Sequence, residues 1–164
     1  MSPAVAPVAD SAFPWPPGIR GALSLTFDDS RPSQLDLGIP LFDRYGVHGT
    51  LYVVPAAVAK RREDWQRAVA GGHEAGGHTI THPCTCNFGF SAGSGAVLEE
   101  LTLDQIEAEI LDSNAQIEHL TGVKPVSFAY PCGQKFVGRG EQLRSYVPVV
   151  ARHYLTGRGW RDEY

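Results

Sequence analysis

A chain of 164 residues with 43% apolar side chains can bury one core of its own, and its composition carries none of the marks of disorder. Its formal charge of −4 and pI near 5.8 leave no basic stripe. The densest cationic run, Lys60-Arg61-Arg62, is followed at once by Glu63 and Asp64, which argues against a nucleic-acid partner.

Residues 1–20 contain Pro3, Pro7, Pro14, Pro16 and Pro17, a spacing that denies the segment both helix and ladder and predicts a leader lying over the surface. The leader lacks the basic n-region and long apolar h-region of a signal peptide, and no apolar run reaches the roughly 18 to 20 residues of a transmembrane segment. Ala22 to Phe27 places Leu23, Leu25 and Phe27 at alternate positions, predicting a strand that breaks into Asp28-Asp29. Pro40 suits a first helical turn and Gly46 a left-handed terminus, so a short helix is expected between them. A second strand, Thr50 to Val54, is stopped by Pro55. Trp65, Ala68 and Val69 share one face of a further helix that Gly71-Gly72 ends, and a third strand-like segment leads to His78. Thr102 and Gln105 form a capping box ahead of Ile106, Ile110, Ile117 and Leu120, a long amphipathic helix that Gly122 closes. The fourth strand, from Val126 to Tyr130, ends at Pro131. Strands alternating with helices predict an α/β domain built on a parallel sheet or barrel.

Each polar cluster falls just after a strand: Asp28-Asp29, then His78-Thr-Ile-Thr-His82, then Pro131-Cys132-Gly133. In parallel α/β folds that edge is where sites are built. On a straight strand the backbones of His78 and His82 would lie roughly 13 Å apart, too far for one metal. In a helical turn, i and i+4 side chains come within about 6 Å at Cβ, and Pro83 is placed to end such a turn. Two imidazoles and one carboxylate form an open catalytic set for a metal such as Zn²⁺, leaving room for water and a substrate oxygen. Because neighbouring side chains diverge, one of Asp28 and Asp29 can ligate while the other takes a proton. Taken alone, an Asp-Asp pair is most often a solvated turn or cap.

The three clusters together resemble the polysaccharide deacetylases of carbohydrate esterase family 4, the NodB homology domain. Thr26-Phe27-Asp28-Asp29, His78-Thr79-Ile80-Thr81-His82-Pro83 and Phe128-Ala129-Tyr130-Pro131-Cys132-Gly133 look like its first three motifs, in order. The resemblance implies a distorted (β/α) barrel, with Asp28 as general base and Asp29, His78 and His82 as ligands of one divalent metal, Zn ahead of Co, Ni or Mn. Tyr130, Pro131 and Cys132 would line the acetyl groove, with a backbone N–H near Cys132 stabilising the oxyanion. The implied reaction is hydrolysis of N-acetyl, or else O-acetyl, groups on a polysaccharide or oligosaccharide, with an acetylated glycan as partner. Ala129 stands where the family's third motif usually opens with an arginine that contacts the base, so Arg139 and Arg158 become the candidates for orienting Asp28.

Alternatives remain at this point. One is a non-catalytic carbohydrate-binding relative, another a metal-free amidohydrolase on the same scaffold, and a third a structural zinc site of His78, His82, Cys84 and Cys86. His73-Glu74 followed by His78 fails the spacing of a zincin helix and is set aside. A disulfide from Cys132 to Cys84 or Cys86 is a further expectation. Residues 21–164 are expected to form the catalytic domain, truncated at its C-terminus, because about four strand–helix units fall short of a typical (β/α) barrel. An open sheet edge would then favour self-association. No later segment matches the family's histidine that protonates the leaving amine, so little activity is expected of residues 1–164 alone. Compartment is unknown from the sequence, with the cytoplasm as default although the family is often exported.

Overall fold

A computed structural model describes residues 15–89 and 97–160; most of the expected leader lies outside them. Among these residues, the frame is a curled half-barrel of five parallel strands. Strands β1 (Thr26–Asp28), β2 (Thr50–Val53), β3 (Glu74–Gly77) and β4 (Ser127–Ala129) lie side by side. A short antiparallel pair, β5 (Phe136–Val137) and β6 (Arg144–Ser145), precedes the outer strand β7 (Thr156–Arg158), which pairs with β4. The register sets Asp28 against Tyr52, Val53 against Gly77, and Ala129 against Arg158. The strands' C-terminal ends therefore form one rim, and each of the three motifs leaves the sheet along it.

Among the described residues, five α-helices connect the strands: α1 (Ile39–Tyr45), α2 (Pro55–Lys60), α3 (Arg62–Ala70), α4 (Leu103–Thr121) and α5 (Val147–His153). α1 extends a π-helical stretch, Gln34–Gly38, and ends at Gly46 in the left-handed region, as its glycine predicted. α4 has both halves of the capping box, Gln105 N donating to Thr102 Oγ1 at 3.2 Å and Thr102 N to Gln105 Oε1 at 2.8 Å. It closes at Gly122 with φ 84°. Its apolar face serves both halves of the core. Ile106 and Ile110 pack with Phe128, Tyr130 and Tyr146, while Ile117 packs with Leu51, Val58 and Trp65.

One expectation needs correction, and two features go beyond what the sequence predicts. The first strand is shorter and later than Ala22 to Phe27, because β1 is an outer strand whose preceding residues have no core to face; Leu23 is 81% exposed. Pro55 does stop β2, but it also starts α2 in the N1 position that proline favours. The fifth strand, Thr-Gly-Arg, carries no apolar alternation and gave no signal; Leu155 N and Tyr130 N donate across it to Val126 and Arg158 carbonyls at 2.8 and 2.9 Å.

β3 reads Glu-Ala-Gly-Gly, a poor strand by propensity. Close packing accounts for it: a Cβ at Gly76 would strike the Tyr52 ring, and one at Gly77 would strike Tyr154. Tyr154, in turn, donates its hydroxyl to Asn114 of α4 at 2.6 Å.

Candidate active site at the strand rim

β1 ends in a sharp turn, with Asp29 and Ser30 at φ 75° and 52°. Both are uncommon conformations for residues with a Cβ, and such strain concentrates at functional sites. Two contacts hold the turn. Val54 N donates to the buried Ser30 Oγ at 2.9 Å, and the Gln34 amide donates to the Asp28 carbonyl. Asp28 and Asp29 thereby diverge to different partners.

Asp29 meets the two histidines. Its Oδ1 lies 3.5 Å from His78 Nε2 and 3.3 Å from His82 Nε2. For a tetrahedral ion with metal–nitrogen and metal–oxygen bonds of about 2.0 to 2.2 Å, the ligand–ligand edge is about 3.4 Å, so the donor spacing fits one metal. The His78 ring is nearly fully buried, and its Nδ1 lies 2.8 Å from the Ala129 carbonyl. A carbonyl can only accept, so Nδ1 donates to it, and Nε2 is left facing Asp29, where it donates to the carboxylate in the metal-free protein and would offer its lone pair to an ion held between them. Hydrogen-bonding contacts with His78 and then His82 hold the Asp29 carboxyl well below the usual carboxylate range, against the opposing effect of its burial. A carboxylate that stays ionised is what a cation site requires.

His78 and His82 meet by a route the sequence did not predict. The segment forms no helical turn; Thr79 and His82 adopt φ 63° and 53°, folding the loop back until the two ring centroids are 4.7 Å apart.

Asp28 faces Arg158 of β7, whose Nη2 donates to Asp28 Oδ1. The guanidinium carbon sits 4.7 Å above the centre of the Tyr52 ring, within cation–π range. Of the two arginines proposed to replace the one missing at Ala129, it is Arg158 that the fold delivers. Arg139 lies instead 4.0 Å from Glu100.

Cys132, at φ 54° in the loop after β4, is bonded to Cys84, with Cα atoms 5.8 Å apart. Cys84 Sγ is also 3.6 Å from His82 Nδ1. Cys86 is a free, exposed thiol whose N–H bonds Glu99. With Cys84 committed to a disulfide, the structural zinc set of His78, His82, Cys84 and Cys86 does not form. His73 is also accounted for: it accepts from Gly49 N at 3.2 Å and pairs with Asp43 at 3.1 Å.

A cleft of about 540 Å³ opens over these groups, lined by Asp28, Asp29, Arg31, His78, His82, Phe88, Tyr130, Cys132, Gly133 and Trp160. Arg31, Phe88 and Trp160 are lining residues that the sequence did not single out, and Trp160 is the one that comes from furthest along the chain. It enters because Gly133 has no side chain; a Cβ there would lie 2.8 Å from Trp160 N. Pro131, expected to line the groove, is instead buried within the loop and is not among the residues lining the cleft.

Comparison with known proteins decides the family. The sequence model for polysaccharide deacetylases matches residues 17–145. This chain belongs to the polysaccharide deacetylase family. Among deacetylase relatives, it is 26% identical over 142 residues to the peptidoglycan-N-acetylmuramic acid deacetylase PdaC of Bacillus subtilis, covering 85% of this chain and 27% of that protein. It is 30% identical over 145 residues to a protein named gellan lyase from a Bacillus species, covering 88% of this chain and 5% of that protein. The chain thus spans a small part of the length of these relatives. Its fold is similar to the family 4 carbohydrate esterase of Streptomyces lividans in complex with acetate, with TM-score 0.64 and 21% identity over 85% of this chain and 62% of that one. It is also similar to BA3943 of Bacillus anthracis, described as a family 4 pseudoenzyme, with TM-score 0.61 and 21% identity over 82% of this chain and 42% of that one.

Proposed function

We propose that this polysaccharide deacetylase domain removes acetyl groups from an N-acetylated glycan by metal-dependent hydrolysis, with Asp29, His78 and His82 as the metal ligands and Asp28 as the base. The observation that carries the reading is the convergence of Asp29 Oδ1 with two imidazole Nε2 atoms at 3.3 and 3.5 Å, beside a second carboxylate turned the other way. A divalent ion held there supplies polarisation of the acetyl carbonyl and a lowered pKa for water. Zn²⁺ suits the ligand set best, with Co²⁺, Ni²⁺ and Mn²⁺ as substitutes.

The chain's own groups do the rest. Asp28 accepts the proton that the attacking water gives up, and Arg158 fixes its carboxylate. A backbone N–H of the Cys132 loop donates to the oxyanion as it forms, with Tyr130 shaping that wall. Trp160 and Phe88 offer aromatic surface to a sugar face. A second groove of about 570 Å³, reaching past Pro32 and Leu35 to Lys60, shares Asp29, Arg31 and His82 with the cleft, so a glycan chain can run through the metal position on both sides. Among the described residues, the cleft has no third histidine that could protonate the leaving amine.

Acetate release from acetylated oligosaccharides, measured on chelator-stripped and zinc-reloaded protein, tests the proposal. Turnover that appears on reloading supports it. Folded, zinc-loaded protein that binds the glycan and releases no acetate above buffer favours the non-catalytic reading, and equal turnover after stripping favours metal-free hydrolysis.

Arg158→Met is expected to lower acetate release on the order of 10²-fold, the scale of a misplaced catalytic group, at unchanged zinc content. Arg158→Lys restores charge without the planar fork or the stack on Tyr52 and should recover part of the loss. Wild-type rates in Arg158→Met would mean that Asp28 is oriented by something else.

A further inference from the structure

The loop from His78 to His82 has no helix to hold it, and two of its residues occupy left-handed conformations that persist only where the surroundings enforce them. What holds the middle of the loop comes from outside the three motifs. Ile80 N and Thr81 N, consecutive donors at the middle of the loop, both give their hydrogens to Glu109 Oε2, each at 3.1 Å. Closer to the ends, His82 N donates to Thr79 Oγ1 at 3.1 Å, and that hydroxyl donates to the His78 carbonyl at 2.6 Å. Side chains thus replace the backbone ladder that a helix would have provided.

We propose that Glu109 is the positioning residue of the metal centre, its carboxylate fixing the crest of the loop whose two ends carry His78 and His82. Glu109 is well placed for this task. It lies on α4 between Ile106 and Ile110, both fully buried, so the carboxylate is anchored to the core rather than to a mobile surface. One carboxylate oxygen accepting two successive N–H groups fixes both peptide planes at once, and charge-assisted bonds of this kind are stronger than neutral ones. With the crest fixed, the reversal at Thr79 and His82 sets the separation of the two imidazoles. No other acceptor for these two N–H groups is found among the described residues. Glu107, two positions earlier and so on the opposite side of the same helix, faces Arg152 and His153 instead, at 2.9 and 2.7 Å, and is the natural control.

The inference rests on Asp29, His78 and His82 as the ligand set, and the test separates the two. Zinc affinity is measured for the wild-type chain, Glu109→Ala, Glu109→Gln and Glu107→Ala, together with amide hydrogen exchange at Ile80 and Thr81 in the metal-free proteins. Glu109→Ala is expected to weaken zinc about 10- to 100-fold, the usual effect of losing an outer-shell partner, and to speed exchange at both amides. Glu109→Gln keeps an acceptor oxygen and should recover part of both, and Glu107→Ala should change neither. Wild-type zinc affinity in folded Glu109→Ala overturns the proposal, as does unchanged exchange at Ile80 and Thr81. If Glu109→Ala does not fold, the near-isosteric Glu109→Gln carries the comparison, and wild-type affinity and exchange there overturn it equally. Absence of zinc binding by the wild-type chain overturns the ligand set itself, while exchange still reports whether Glu109 holds the loop.

Discussion

His78→Ala is expected to strip the metal and abolish metal-dependent acetate release. His78 supplies one of three converging donors, and two ligands do not make a catalytic site of the usual kind. The loss of affinity should exceed by a wide margin the about 10- to 100-fold that an outer-shell partner contributes. The substitution has a second consequence. His78 is buried and bonded to the Ala129 carbonyl, so truncation leaves that acceptor unpaired at a cost of about 1 to 3 kcal/mol. His82→Ala separates the two effects, because the His82 side chain is 26% exposed; it should lose metal at little cost in thermal midpoint. Elemental analysis that finds wild-type zinc in folded His78→Ala would remove it from the ligand set.

Asp28→Asn should keep the metal and lower acetate release by roughly 10²- to 10⁴-fold, the usual contribution of a general base. The amide matches the carboxylate in shape and can still accept from Arg158, but it takes no proton. The Gln34 contact is to the Asp28 backbone carbonyl and survives the change, so the turn that aims Asp29 at the histidines should remain. Zinc content and rate therefore answer different questions: metal lost with activity would reverse the roles of Asp28 and Asp29, and activity kept at wild-type level would end the base assignment.

How much of this was legible in the sequence depended on the kind of signal. α4 was readable from end to end because capping box, apolar stripe and closing glycine all reported the same element. The three motifs were readable as a set, and their placement at strand ends followed from the β-α alternation. The loop between His78 and His82 was not, because spacing alone suggests a helical turn and nothing local announces left-handed conformations at Thr79 and His82. Their support comes from Glu109, far along the chain on another element. Arg158 is only one of two candidates in the sequence, since its three-residue strand has no apolar pattern and it meets Asp28, 130 positions away, across the curl of a sheet in which β1 and β7 are the two outer strands. Trp160 was invisible for a similar reason; its place depends on the close approach allowed by Gly133.

The Cys84–Cys132 bond closes a ring of backbone with a sequence separation of 48 residues, large enough that the chain-entropy account gives about 4 kcal/mol of restraint on the unfolded chain. The ring encloses α4 and β4 and leaves β1, β2, β3 and β7 outside it. A single cut by a protease between the two cysteines would therefore not divide the molecule: the piece carrying Asp28, Asp29, His78 and His82 would stay covalently joined to the piece carrying Arg158. The same cut in reduced protein would release two separate chains, with the arginine on one and its carboxylate on the other.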